Sequence, residues 1–106
     1  MNAMTKRVFL RAADIVAQSW CQGSYALDAE GHACETTSLN AVRWCAWGAL
    51  EKAQSELDVP FAYGGSLDPR EMADASTPDN DLVVWNDEVG RTAQQVEALF
   101  RKLGSE

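Results

Sequence analysis

The stretch that most constrains this fold lies at residues 38–57, because its apolar side chains recur at the three- and four-residue spacing of one helix face. Those side chains belong to Leu39, Val42, Ala46, Ala49, Ala53 and Leu57. Ser38 suits the N-cap, since its hydroxyl can accept a hydrogen bond from an amide of the first turn. Val59 precedes Pro60 and is therefore biased away from helical backbone angles. The sequence predicts one central helix from Ser38 to Leu57.

Two tryptophans are out of place on this predicted helix. At about 100° per residue, Trp44 falls in the middle of the polar face and Trp47 on its edge. Either a second layer covers them, since tryptophan is mostly buried, or they form an exposed patch that docks a partner. Gly48 costs roughly 1 kcal/mol relative to alanine in a helix, and close approach of another element would offset that cost.

Three further helices are predicted on either side of the central one. An apolar stripe marks a first helix from Met4 to Trp20. A proline suited to the first helical position marks a short one from Pro69 to Ala75. A capping box at 92–95 opens the last helix. Residues 86–90 before it are predicted to form a turn, in which Asn and Asp side chains bond to the backbone or face a ligand.

A small hairpin completes the predicted fold. Residues 24–34 hold two short segments around a turn in which Gly31 takes a positive φ. The sequence therefore predicts a mostly α (α+β) fold with three main helices, a short fourth and this hairpin. At 106 residues it forms a single domain over 1–106.

The chain is acidic, with a formal net charge of −7 that is unevenly placed. Residues 51–90 carry ten acids against Lys52 and Arg70. This acidity argues against direct nucleic-acid binding, where affinity comes from neutralising phosphates. It suits a basic partner surface, although an acidic surface also keeps a small protein soluble. The predicted partner-binding residues are Glu51, Glu56, Asp58, Asp68, Glu71, Asp74, Trp44 and Trp47.

The cysteines and the single histidine define the alternative chemistry. The sequence has three cysteines, contains no C-x-x-C pair and shows no signal-peptide pattern. These observations argue against a disulfide framework. Cys45 with His32 contains the residue types of a thiol nucleophile and its base, but Cys45 lies mid-helix in this prediction. Cys21, His32, Cys34 and Cys45 would supply four zinc ligands, although only His32-x-Cys34 is closely spaced.

No apolar run is long enough to cross a membrane, and the N-terminus lacks a signal-peptide core. We therefore expect a cytoplasmic protein without membrane contact, in the host cytoplasm if it is encoded by a phage.

Four strings together resemble a family of small bacterial and phage proteins of unknown function. They are Trp20-Cys21-Gln22-Gly23, Leu27-Asp28-Ala29-Glu30-Gly31, Arg43-Trp44-Cys45-Ala46-Trp47-Gly48-Ala49-Leu50, and Trp85-Asn86-Asp87 followed by Gly90-Arg91-Thr92. The resemblance omits roughly residues 58–80. It implies a mobile-element context and supplies no catalytic residue. In type, though not in motif, the chain is similar to anti-CRISPR proteins, which bind effector complexes.

We therefore expect a non-catalytic interaction protein without cofactor or metal. Its partner would be a protein with a basic surface, such as a CRISPR-Cas or other nucleic-acid-handling complex, which it would inhibit. One alternative is a thiol-dependent enzyme or zinc protein centred on Cys45, Cys34, Cys21 and His32. Another is a helical subunit that self-associates through Trp44 and Trp47.

Overall fold

A computed structural model describes residues 3–59 and 68–106 of the chain. The described elements, in chain order, are α1 (Ala3–Ser19), β1 (Ala26–Asp28), β2 (Ala41–Trp44), α2 (Ala46–Glu56), α3 (Pro69–Ala75), α4 (Leu82–Asp87) and α5 (Ala93–Ser105). The predicted class, an α+β fold that is mostly helical, is confirmed.

The core is built on α1, which packs against both α5 and α2. The predicted stripe of α1 is buried, and its Phe9 meets Phe100 of α5 with the ring centroids 6.2 Å apart. Both rings are fully buried, which contributes about 1.5–3 kcal/mol for each side chain. The buried apolar residues of all five helices form one cluster.

Local sequence signals place the later helices. Asp68 caps α3 by accepting from the Arg70 amide, and Pro69 takes the first helical position as predicted. The Thr92–Gln95 capping box opens α5, also as predicted. The turn predicted at residues 86–90 is shorter, because residues 86 and 87 continue α4 before Gly90 turns the chain with a φ of 88°.

The central helix begins eight residues later than predicted, at Ala46 rather than at Ser38. Its N-cap is Cys45, whose sulfur accepts from the Gly48 amide at 3.4 Å. Leu39 and Val42, expected on the buried helix face, are exposed. Residues 41–44 form β2 because β1 supplies backbone partners to them, and a helical side-chain pattern does not reveal such a partner. Pro60, expected to end the helix, lies outside the described residues.

The two strands form a small antiparallel sheet in which Ala26 lies opposite Trp44. The turn expected at residues 24–34 is present, since Gly31 has a φ of 83° and Leu27 forms a bridge with Ala33. The regular ladder nevertheless joins β1 to β2 rather than to the other arm of that turn. On its far side β2 is held by Trp20, just after α1, through a parallel bridge. The sheet is thereby attached to the helical core.

Across the described ranges, 3–59 and 68–106, no helix has the length and apolarity needed to cross a bilayer.

Candidate functional site

The side chain of Asn86, on α4, joins three distant parts of the chain. Its Oδ1 accepts from Trp20 Nε1 at 2.7 Å and from the Ala46 amide at 2.9 Å. Its Nδ2 donates to the Cys21 carbonyl at 3.2 Å and to Asp87 Oδ1 at 2.9 Å. The amide is fully buried, and all four of its hydrogen-bonding positions are used.

A second set of bonds reinforces this junction. Gln22 Nε2 donates to the carbonyls of Asn86 and Glu88, at 2.9 and 3.0 Å. The Gly23 amide donates to Asp87 Oδ1 at 3.0 Å. The strings around residues 20–23, 45–46 and 85–87, which are far apart in sequence, therefore meet at one structural junction. The sequence marked Asn86 and Asp87 as distinctive, but it gave no sign of these partners.

The thiols expected for the enzyme hypothesis lie mainly inside the protein. Cys45 was predicted to lie mid-helix, and this was wrong. It is the N-cap of α2, a position at which thiols are often activated. Burial nevertheless raises the pKa of Cys45 to about 12 and that of Cys21 to about 11. Both are therefore neutral thiols near pH 7, and only a thiolate is a good nucleophile. Cys34 is half-buried.

The histidine of that hypothesis lies on the exposed turn after β1. His32 Nδ1 is 3.6 Å from Glu30 Oε2 and 3.9 Å from Asp28 Oδ2. Within residues 3–59 and 68–106, no three His, Cys, Asp or Glu side chains come together in a way that could hold a metal ion. The proposed ligands Cys21, His32, Cys34 and Cys45 all belong to those ranges.

The two tryptophans expected at a partner surface are half-buried against the core. Trp44 lies on β2, donates from Nε1 to the Thr36 carbonyl at 2.8 Å, and has Lys52 Nζ 6.0 Å from its ring centroid. Trp47 lies in the first turn of α2, with the Arg70 guanidinium carbon 5.1 Å from its ring centroid. Basic side chains thus partly cover both rings.

Three of the six predicted contact acids form ion pairs within the protein. Arg70 lies 3.0 Å from Glu51 and 3.1 Å from Asp68. Glu56 on α2 lies 2.6 Å from Arg11 on α1. The pairs of Glu51 and Glu56 connect helices, whereas the pair of Asp68 lies within the start of α3. The negative charge of these three acids is therefore partly balanced by a neighbouring arginine.

The other three acids differ in what they contact. Asp74 Oδ1 accepts from the Leu82 amide at 2.8 Å and so connects α3 to the start of α4. Asp58 and Glu71 are exposed, and in the part of the chain that the structure describes their side chains have no hydrogen-bond or ion-pair partner. Asp79, between α3 and α4, is also exposed, and its side chain has no hydrogen-bond or ion-pair partner among the described residues.

Charge is separated between elements of the fold. The acidic segment, residues 68–90, carries seven acids and one base, for a net charge of −6. Three bases against one acid give α1 a net +2, and two against one give α5 a net +1. The single base of the acidic segment, Arg70, is paired with Glu51 and Asp68, so most of the segment's negative charge is unbalanced.

A groove of about 560 Å³ lies beside α2 and is lined by residues 33–37 together with Tyr25 and Glu51. A second cavity of about 370 Å³ shares Tyr25, Ala33 and Cys34 with it and also contacts Cys45 and Asp87. These shared residues make the two cavities adjacent. No sequence signal marked Tyr25 or Glu35, because neither belongs to a recognisable motif.

The chain belongs to a family of unknown function (DUF6197), whose model matches residues 2–106. No curated protein and no solved structure matches it. The resemblance to an uncharacterised family is thereby confirmed, and the match extends through residues 58–80, which the sequence strings did not cover.

Proposed function

We propose that this DUF6197 member is a small, non-catalytic interaction protein. Through its acidic segment it binds a basic, nucleic-acid-binding surface of a larger host complex and inhibits that complex. The observation that carries this proposal is the excess negative charge of residues 68–90, a net −6. Its only base, Arg70, is already paired within the protein, and of its other acids Glu88 alone pairs with a base, Arg91, among the described residues. Charge of one sign on one segment attracts an oppositely charged partner and orients the encounter.

The residues proposed for contact differ in how available they are to a partner. Glu71 and Asp58 are exposed and unpartnered within residues 3–59 and 68–106, so they are the predicted acids most available to a partner, and Asp79 joins them. Glu51, Glu56, Asp68 and Asp74 shape the surface through their internal bonds. Trp44 and Trp47 are half-buried, so only part of each side chain is available to a partner.

Two observations favour binding over thiol catalysis as the function. The buried thiols of Cys21 and Cys45 are protonated near neutral pH, as their raised pKa values show. His32 lies on an exposed turn beside two carboxylates. A thiol enzyme would instead need a thiolate with a base in hydrogen-bond reach.

The test is affinity capture from bacterial lysate with the wild-type protein and with the double variant Glu71→Lys/Asp79→Lys. The matched control is Glu30→Lys/Glu106→Lys, which makes the same change in net charge at two exposed positions outside the acidic segment. We expect the wild type and the control to recover a nucleic-acid-handling complex that is lost at high salt, because salt screens exposed charges. The Glu71→Lys/Asp79→Lys variant should not recover it.

Inhibition is measured on the recovered complex by adding the purified protein and following nucleic-acid binding. The proposal predicts that the wild type lowers that binding and that Glu71→Lys/Asp79→Lys does not. Equal capture by the acidic-segment variant and the wild type would refute the proposal.

A further inference from the structure

The protein repeatedly places an arginine between an aromatic ring and a carboxylate. The Arg70 guanidinium carbon is 5.1 Å from the Trp47 ring centroid, and its Nη1 is 3.0 Å from Glu51. A guanidinium gains from both contacts, because the face of an aromatic ring attracts a cation and a carboxylate pairs with its N–H groups.

The second example lies after α4. The Arg91 guanidinium carbon is 4.0 Å from the Trp85 ring centroid, and its Nη2 is 2.8 Å from Glu88. Its Nε also donates to the Trp85 carbonyl at 2.8 Å. In both examples the arginine belongs to the chain itself.

The 560 Å³ groove has the same two kinds of side chain, an aromatic ring and a carboxylate, but no cation is found among its described lining residues. Tyr25 lines it with 53% of its surface exposed, and Glu35 lines it as an exposed carboxylate. Across residues 3–59 and 68–106, no basic side chain lies over the Tyr25 ring, and the Glu35 side chain has no ion pair or hydrogen bond. Glu51, also in the groove, adds negative charge although it pairs with Arg70.

The aromatic residue is held firmly. The Cys45 amide donates to the Tyr25 carbonyl at 3.2 Å, and Gly48 packs so closely there that a Cβ would overlap that carbonyl oxygen. Because the backbone of Tyr25 is fixed against α2, only its side-chain torsions need ordering when the ring binds, and a site prepared in this way loses less entropy.

We propose that the groove binds an arginine side chain from a segment of a protein partner, with the guanidinium over Tyr25 and paired with Glu35. Charge complementarity identifies the occupant, because the groove is acidic and no base is found among the described residues that line it. Arginine is favoured over lysine because its planar group both stacks on rings and pairs with carboxylates, as Arg70 and Arg91 do here. The volume of about 560 Å³ lies within the usual range for ligand sites.

The probe is the peptide acetyl-Ala-Ala-Arg-Ala-Ala-amide, titrated into ¹⁵N-labelled protein and followed by NMR. We expect saturable shifts in the amides of residues 25, 33–37 and 51. The same peptide with citrulline in place of arginine keeps the shape and loses the charge, and it should bind at least fivefold more weakly. Equal binding of the two peptides, or shifts confined to other residues, would overturn the proposal.

Variants of the protein test the two named contacts. Tyr25→Ala and Glu35→Gln should each weaken peptide binding by roughly two- to fivefold, as expected for one exposed cation–π or charge contact. Tyr25→Phe keeps the ring and should retain the affinity, and Glu106→Gln removes a charge outside both the groove and the acidic segment and should change little. If Tyr25→Ala and Glu35→Gln both bind like the wild type, the groove is not the site. If ethylguanidinium binds as tightly as the peptide, the occupant is not a protein segment.

The identity of the occupant as a protein rests on the function proposed above, but the two fail separately. If peptide binding maps to the groove while Glu71→Lys/Asp79→Lys leaves lysate capture intact, the proposed function fails and the arginine site stands. If Glu71→Lys/Asp79→Lys abolishes capture while the peptide does not bind, the function stands and the site fails.

Discussion

The buried side chain of Asn86 holds together segments of the fold that are far apart in sequence. It accepts hydrogen bonds from two donors, the partly buried Trp20 Nε1 and the buried Ala46 amide, that would otherwise lose this partner. Asn86→Ala should lower the free energy of unfolding by about 3 kcal/mol or more, since each stranded buried group costs roughly 1–3 kcal/mol. Asn86→Asp should be at least as damaging, because it places a charge beside Asp87. Urea denaturation measures both variants, and a loss below about 1 kcal/mol for Asn86→Ala would show that this junction is not structural.

Gln54 presents the opposite situation in the same core. Its side chain, on α2, is fully buried, and neither polar atom has a hydrogen-bond partner within the described ranges. Gln54→Met keeps a similar volume and removes the unpaired amide, so it should raise the free energy of unfolding by about 1–3 kcal/mol. Gln94→Met, at an exposed position on α5, is the matched control and should change it little. If Gln54→Met destabilises the protein, the amide must have a partner in solution.

At the scale of elements, the close contact between α2 and the segment before β1 depends on one glycine, Gly48. A Cβ at Gly48 would overlap the Tyr25 carbonyl oxygen and lie 2.9 Å from its carbonyl carbon. Gly48→Ala should therefore destabilise the protein by about 2 kcal/mol or more, although alanine is intrinsically the better helix former by about 1 kcal/mol. Thermal unfolding measures the difference.

Gly104→Ala on α5 is the control for that substitution. There a Cβ would meet mainly the side chain of Leu10, which is partly exposed and can move. We expect a smaller loss than for Gly48→Ala. If Gly48→Ala were neutral or stabilising, helix propensity would outweigh the contact with Tyr25.

The elements also show which parts of the fold a sequence can reveal. α1, α3 and α5 were predicted well because their signals are local: a periodic stripe, a proline at the first turn and a capping box. The start of α2 was predicted wrongly because residues 41–44 are held by β1, a partner fifteen or so positions away that no local pattern marks. The sequence did not predict the junction at Asn86 or the groove at Tyr25 for the same reason, because both are assembled from segments that are distant in the chain.

At the scale of the whole molecule, the main helix pair of the core carries net positive charge, and the acidic segment carries net negative charge. α1 and α5, which carry net positive charge, form the main helix pair of the core. The acidic segment packs on the rest through short helices capped by Asp68 and Asp81. Negative charge at a helix start interacts favourably with the helix dipole, so some of these acids stabilise their own helices while the others remain available for a partner. The proposed binding would therefore use acids of this segment other than those that cap its helices.

The buried thiol of Cys45 makes the stability of the whole molecule sensitive to alkaline pH. Burial raises the pKa of Cys45 from 9.0 to about 12, so the folded state holds this proton more tightly than the unfolded state. The resulting stability is fully present below the unfolded pKa and is lost as pH rises toward the folded pKa. Between about pH 8 and 10.5 the loss should be on the order of 2 kcal/mol, at 1.4 kcal/mol per pH unit above the unfolded pKa.

Cys45→Ser isolates this effect from other groups that titrate in the same range, because its hydroxyl does not ionise and still suits the N-cap of α2. Urea denaturation across that pH range should show a shallower decline in the free energy of unfolding for Cys45→Ser than for the wild type. Cys34→Ser, which removes a half-buried thiol, is the control and should decline nearly as the wild type does. Parallel declines for Cys45→Ser and the wild type would mean that Cys45 ionises as readily in the folded state as in the unfolded one, so that burial does not raise its pKa.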